Sequence, residues 1–351
     1  MRVLIVSDRF IPAQYYVEAL AHVCGGSFGP ICSVEWSGSK AEQHATQQIM
    51  ERLGPDAVRV PEEIMAAVGD AEVLVVHLAP VQSAVLQAAP RLRAVCVARA
   101  GTENIDVAAA TARRAAVVPV YGRNASAVAE FAVGLMITQA RDIVRTDTEV
   151  KTGGWPKAFG HTWTEVGDST VGIVGIGHVG RALADRLKGF GSRILAYDPY
   201  VPDDVLARHG AARAHDLETV FQESDFVNVC ARLTPQTNRF IGARHFAAMK
   251  PNAYLINAAR SRLIDTGALY EALASGRIAG AGLDVHDEEP LPPDSLWRRL
   301  NNVTLTTHTA GDTRTTNLRS ARLVAESIAE LADSGRCKAA INADDLEGLD
   351  R

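Results

Sequence analysis

The stretch Ser169–Tyr200, STVGIVGIGHVGRALADRLKGFGSRILAYDPY, decides the fold. Thr170–Val174 is a short β-branched run, and it enters Gly175-Ile176-Gly177-His178-Val179-Gly180. A helix is expected from Arg181 to Phe190, and a second strand closes at Asp198. The glycines have separate physical reasons. Gly175 permits a tight turn, Gly177 lets a diphosphate approach the backbone, and Gly180 lets the helix pack on the strand. Amides at the start of that helix then face the phosphates.

Asp198 stands at the tip of the second strand, eighteen residues beyond Gly180. A carboxylate there accepts from both ribose hydroxyls and repels a 2′-phosphate, which selects NAD over NADP. A glycine-rich turn with no ligand is the plain alternative. The strand, the helix and the acid together argue against it.

Working outward, β-branched runs alternate with longer Ala/Leu-rich stretches. Expected strands are Val3–Val6, Val73–Val76, Ala94–Val97 and Val117–Val120, then Thr170–Val174, Arg193–Tyr197, Phe226–Val229, Ala253–Asn257, Gly280–Leu283 and Val303–Thr306. Alternation of this kind gives parallel sheets covered by helices on both faces. Two long helices, Asn124–Arg145 and Thr315–Gly335, are the natural crossings between two domains. The fold expected is α/β with two doubly wound parallel sheets. A Rossmann NAD-binding domain (123–311) is inserted into a flavodoxin-like substrate domain (1–122 plus 312–351). Lys151–Asp168, rich in glycine and turn residues, is expected to be irregular.

The bulk composition agrees with two globular cores. The chain has 351 residues, 47% apolar and 22% charged. A formal net charge of −5 argues against nucleic-acid binding through bulk charge. The five cysteines (Cys24, Cys32, Cys96, Cys230, Cys337) are scattered, with no CxxC, so neither a disulfide framework nor a metal site is expected and a cytoplasmic location fits. The apolar run of MRVLIVSDRF is too short for a signal peptide, and no stretch reaches a membrane span.

Three further segments end strands of the inserted domain. Arg260 lies just past Ala253–Asn257, the acidic knot LDVHDEEP (Leu283–Pro290) follows Gly280–Leu283, and His308 lies in TLTTHTAGD. Ligands of open α/β sheets bind at the carboxyl ends of strands. A 2-keto acid needs a cation for its carboxylate and a proton donor for its keto oxygen. Arginine forks to the former and histidine delivers the proton near neutral pH. A carboxylate beside the histidine favours its protonated form. Taken singly, Arg260 is an ordinary ion-pairing residue, His308 a structural histidine, and the knot a solvated turn.

The sequence resembles the D-isomer-specific 2-hydroxyacid dehydrogenases, a family that includes phosphoglycerate dehydrogenases, D-lactate dehydrogenases and glyoxylate/hydroxypyruvate reductases. The resemblance runs from about Val73 to about Ala329. VARAGTENIDVAAATARRAAVVPV, GRNASAVAEFAVGLM, VGIVGIGHVGRALA, YDPY, MKPNAYLINAAR, GLDVHDEEPL and TTHTAG carry it. It implies Arg260 as the substrate-orienting arginine, His308 as acid/base and Glu289 as its carboxylate partner. Asp284 would hold the nicotinamide carboxamide, leaving His286, Asp287 and Glu288 as spacing and surface. His178, Val179, Pro199, Cys230, Ala258, Ala259, Arg260, His308 and Gly311 join Gly175, Gly177, Gly180, Asp198 and Asp284 as implied NAD contacts. In the outer domain Gly101 and Thr102 would hold the substrate carboxylate, with Arg99 and His77 nearby. A homodimer through Asn124–Arg145 is implied too, although Val128, Phe131, Ala132, Leu135 and Met136 serve equally as that helix's own core.

The chain departs from the family pattern in two places. Cys230 and Arg232 replace a His and a Pro beside the adenosine side, and Cys230 reads as a packed small residue. His77 replaces the arginine that would hold a substrate phosphate, which weakens a 3-phosphoglycerate dehydrogenase reading; Arg99 and Arg123 remain as cations. No regulatory domain is expected after the last long helix. Other readings stand beside the leading one: a phosphite or formate dehydrogenase, the latter disfavoured by Glu289, and an NAD-sensing corepressor-like binding protein.

Overall fold

The computed structural model describes residues 1–25, 29–157, 159 and 163–348. The chain forms two compact units, Met1–Arg123 with Asp312–Arg351, and Asn124–Gly311. The first boundary falls one residue later than the sequence reading placed it. Arg123 belongs to the outer unit because its guanidinium bonds Ser320 Oγ (3.0 Å) and His77 Nε2 (3.1 Å) there.

The outer unit carries β1 (Val3–Ser7), β2 (Ile31–Glu35), β3 (Val73–Val76), β4 (Ala94–Val97) and β5 (Ala116–Pro119). They pair in parallel in the order β2-β1-β3-β4-β5, the flavodoxin-like order. Alternate residues feed two cores: Leu4, Val6, Leu74, Val76, Val95 and Val97 on one face, Val3, Ile5, Val73, Val75 and Cys96 on the other. Burial on both faces is why these strands are unbroken apolar runs. The helix Arg314–Ser334 covers the second face through Ala321, Val324, Ala325, Ile328 and Leu331. Thr313 caps its start by accepting from Thr316 N at 3.0 Å, and Gly335 ends it at φ 74°.

The inserted unit carries β6 (Thr170–Val174), β7 (Arg193–Tyr197), β8 (Ala211–Arg213), β9 (Phe226–Val229), β10 (Tyr254–Asn257), β11 (Gly280–Leu283) and β12 (Val303–Leu305). Their parallel order is β8-β7-β6-β9-β10-β11-β12. The chain reverses direction across the sheet between β6 and β9, the switch point at which such folds bind nucleotides. Two cores again flank the sheet, one around Val174, Val227, Val229, Leu255 and Leu283, the other around Ile173, Ile194, Ala196 and Ile256.

The first crossing helix is shorter than the sequence suggested. It runs Ala125–Arg141 and breaks at Asp142, whose φ is 49°, before a second helix, Ile143–Lys151. Asn124 makes no side-chain cap bond there; its amide lies where a side chain at Gly311 would go. After Lys151 the described residues hold no helix or strand until Thr170, as expected for this segment. Positions 158 and 160–162, within the same expectation, lie outside the described residues.

Candidate active site

The register of the inner sheet lines up the residues singled out in the sequence. Val174 pairs with Tyr197 and Val229, Val229 with Asn257, Asn257 with Leu283, and Leu283 with Leu305. The next residue of each strand therefore falls in one row: Asp198, Gly175, Cys230, Ala258, Asp284 and Thr306. The backbone ladder continues into the row, as in Cys230 N to Val174 O (2.8 Å) and Asp284 N to Asn257 O (3.0 Å).

In the glycine turn, Gly175 has φ 92° and lies against the backbone of Ala231. Gly180 presses on the carbonyl of Gly175, leaving no room for a Cβ. A Cβ at Gly177, by contrast, would meet nothing within 4 Å. Open space over the middle glycine, at the start of the helix His178–Leu187, fits a diphosphate held by the first amides, His178 and Val179 among them. Asp198 holds the turn, accepting from Ile176 N (2.9 Å) through Oδ2 and from Tyr200 N (3.0 Å) through Oδ1. Pro199 follows it at the surface. Cys230 packs beside the core around Ile173, and burial pushes its thiol up to about 12, so it is a protonated packing residue.

Asn257, fully buried, staples the turn beyond β10 from both sides: its amide donates to Arg260 O (3.0 Å) and its oxygen accepts from Ala259 N (3.0 Å). The turn so fixed presents Ala258, Ala259 and Arg260, and Arg260 Nη1 donates to Ala259 O at 2.8 Å.

His308 and Glu289 meet directly: His308 Nδ1 lies 2.9 Å from Glu289 Oε2. His308 adopts φ 56°, a strained value for a non-glycine residue. The strain is held by Asp284, which is 0% exposed. Its carboxylate accepts from Thr306 Oγ1 (2.7 Å), Thr309 N (3.0 Å) and Ala310 N (2.9 Å), bracketing His308. Asp284 therefore organises the histidine loop from a fully buried position. Gly311 allows the close approach of Asn124. His286 is more than spacing. Its backbone N–H donates to Glu289 Oε1 (2.9 Å) and its ring Nε2 lies 2.8 Å from Thr306 O, so it positions the acid.

In the outer unit the carboxyl end of the sheet holds a second polar cluster. His77 is 3% exposed and lies between Asp8 Oδ2 (2.9 Å from Nδ1) and Arg123 Nη2 (3.1 Å from Nε2). A guanidinium cannot accept, so Nε2 carries a lone pair and Nδ1–H donates to Asp8. Burial pushes the His77 pKa down, assisted by the charges of Arg123 and Arg99, and the ring is neutral. Burial acts to raise Asp8, but His77 and the amides of Phe10 and Ile11 hold it below its ordinary value. Burial and the like charge of Arg99 bring Arg123 down to about 10. With both ring nitrogens engaged, His77 is not placed to contact a substrate itself, contrary to the sequence reading.

Arg99 is buried and ion-paired, its Nη2 lying 2.7 Å from Glu51 Oε1 and 3.5 Å from Glu103 Oε2. Gly101 and Thr102 follow in an open loop. Asp8, Glu51 and Glu103 were not anticipated. Asp8 had a readable signal, as the residue immediately after β1; Glu51 lies on a distant helix and had none.

The inserted unit matches the D-isomer specific 2-hydroxyacid dehydrogenase NAD-binding domain over residues 133–310. A glyoxylate reductase of Korarchaeum cryptofilum is 39% identical over 83% of this chain and 87% of its own length. A D-3-phosphoglycerate dehydrogenase of Methanocaldococcus jannaschii is 37% identical over 80% of this chain, which spans 54% of that protein. The apo structure of D-lactate dehydrogenase from Escherichia coli superposes with a TM-score of 0.72 at 27% identity, covering 97% of this chain and all of that one. The chain belongs to the D-isomer specific 2-hydroxyacid dehydrogenase family. It is an NAD-dependent oxidoreductase acting on the CH–OH group of hydroxy acids.

Proposed function

We propose that this chain interconverts a small 2-oxo acid and its D-2-hydroxy acid, with His308 as acid/base, Glu289 as its partner and Arg260 as the substrate-orienting cation. Bound NADH supplies the hydride. His308 supplies the proton to the keto oxygen: with Nδ1–H given to Glu289, Nε2 is the atom that exchanges it. Glu289 fixes the tautomer and stabilises the imidazolium form. Arg260 pairs with the carboxylate and polarises the carbonyl. The amides of Gly101 and Thr102 are the outer unit's candidate groups for a substrate carboxylate, and His77 acts through Arg123.

The observation that carries this reading is the His308–Glu289 pair on a loop bracketed by a fully buried Asp284. A structural histidine needs no such frame. The test is NADH oxidation by the purified chain against glyoxylate, pyruvate, hydroxypyruvate and 3-phosphohydroxypyruvate, with NADPH in parallel. Turnover of at least one acid is expected; tight NADH binding without turnover of any would overturn the reading.

We also propose a homodimer, on a surface slightly beyond the one first expected. Phe131, Ala132, Leu135 and Met136 are committed to the unit's own core. Ile143, Val144 and Val150 of the next helix and Trp155 beyond it are exposed, and they offer a second copy an apolar face.

A further inference from the structure

The chain's relatives include one named for glyoxylate and one named for a phosphorylated acid, and the two differ in the charge carried away from the reacting carbon. The outer unit bears on that difference. At the carboxyl ends of its strands the cations are already matched. Arg9 Nη1 is 2.9 Å from Glu35 Oε1, Lys40 pairs with Asp312, and Arg123 faces Asp8 across the neutral His77. At Arg99 one guanidinium faces the carboxylates of both Glu51 and Glu103. Arg123 in turn faces Asp8 through His77.

Glu103 is also placed on the loop itself. Its carboxylate leans over Gly101, in the space a side chain at that position would take. A substrate carboxylate arriving at the Gly101 and Thr102 amides meets it there, and the half-exposed Glu103 side chain must swing aside. Glu51 is more enclosed and keeps its 2.7 Å bond to Arg99, so the guanidinium stays neutralised. Nη1 of Arg99 is buried without a hydrogen-bond partner. A buried donor of this kind is completed by an acceptor oxygen.

We propose that Glu51 and Glu103 are specificity-determining residues. By neutralising Arg99 beside the Gly101–Thr102 loop, they restrict the enzyme to 2-oxo acids whose only charge is the carboxylate. Acids with a second anionic group, such as a phosphate ester, are turned away by like-charge repulsion. The inference rests on the proposal that this loop holds the substrate carboxylate.

The experiment compares kcat/KM for hydroxypyruvate and 3-phosphohydroxypyruvate, with NADH and the full chain, in the parent, Glu51→Gln, Glu103→Gln and the double variant. The parent is expected to favour the unphosphorylated acid by about tenfold or more. Each variant should raise the relative kcat/KM of the phosphorylated acid, the double variant by about tenfold, chiefly through KM. The ratio of two substrates is unaffected by a loss of folded protein, so a merely structural role would not move it. A parent that uses the phosphorylated acid as well as the other overturns the inference and leaves the dehydrogenase reading standing. So does a ratio unchanged in all three variants. No turnover of these acids or of glyoxylate by the parent overturns the dehydrogenase reading, and this inference with it.

Discussion

Each unit of this chain ends its parallel strands in a histidine paired with a carboxylate at 2.9 Å, His308 with Glu289 and His77 with Asp8. The two pairs have the same contact and opposite surroundings. The His308 side chain is 25% exposed and sits on a loop of positive φ. The His77 side chain is 4% exposed, and both its nitrogens are taken. A histidine–carboxylate distance therefore says little about function. What separates the two is burial: the His308 side chain stays a quarter exposed, whereas the enclosed ring of His77 accepts from Arg123 at Nε2 and serves as a neutral link between an anion and a cation.

The sharpest way to break the comparison is to remove each ring. His308→Ala should lower kcat for 2-oxo acid reduction by ~10²–10⁴, the usual worth of a general acid, with NADH affinity nearly intact. Turnover within a factor of about three of the parent would sink the role given to His308. His77→Ala should instead act mainly on stability, because it strands Asp8 and Arg123 without their shared partner.

A comparable contrast lies within the glycine turn. Gly177→Val places its side chain in open space. It should melt as the parent does and bind NADH more weakly by ~10-fold or more, because the diphosphate loses its approach to the backbone. Gly180→Ala drives a Cβ onto the carbonyl of Gly175. It should lower stability by ~1–3 kcal/mol, the cost of overpacking, before any effect on NADH is considered. Thermal melting and fluorescence titration of NADH separate the two. Equal effects of both variants on melting would mean that the turn is structural throughout.

The sheets were legible where burial on both faces forces continuous apolar runs, as in Val73–Val76 and Phe226–Val229. The strands missed are both at sheet edges. β2 is mostly exposed or half-buried, and β8 has three residues with only Ala211 buried. An edge strand lacks the two-sided burial that writes such a run. The break at Asp142 was hidden because apolar spacing continues through Ile143 and Val144, which face solvent. At the site, placement after three successive strands pointed to Arg260, His308 and an acid of the LDVHDEEP knot, and the family resemblance singled out Glu289 among those acids. Residues that act by holding others were invisible. Nothing local marks Asp284 as the bracket of the His308 loop, or Glu51 as the partner of Arg99 forty-eight positions away. Such roles depend on contacts between segments distant in sequence.

The smallest effect expected sharpens the same comparison through pH. The ordinary pKa of histidine is 6.5, and burial holds His77 lower in the folded chain. As pH falls below about 6.5 the unfolded chain takes up this proton while the folded one does not, so stability is full above that value and declines below it. One group contributes at most ~1.4 kcal/mol per pH unit. Asp8 has the depressed pKa of a paired carboxylate, so its contribution persists above its ordinary 3.8 and is lost only as pH falls through the still lower folded value. His77→Gln keeps both bonds in principle, since its amide N–H can donate to Asp8 and its oxygen can accept from Arg123. It has no proton to gain. Melting temperatures of parent and variant should therefore agree near pH 7.5 to within about 2 °C, and the variant should be the more stable by about pH 5.5. The other nine histidines are common to both chains and cancel in the difference. Parallel melting curves across this range would show that His77 protonates as readily folded as unfolded, and the neutral link between Asp8 and Arg123 would have to be abandoned.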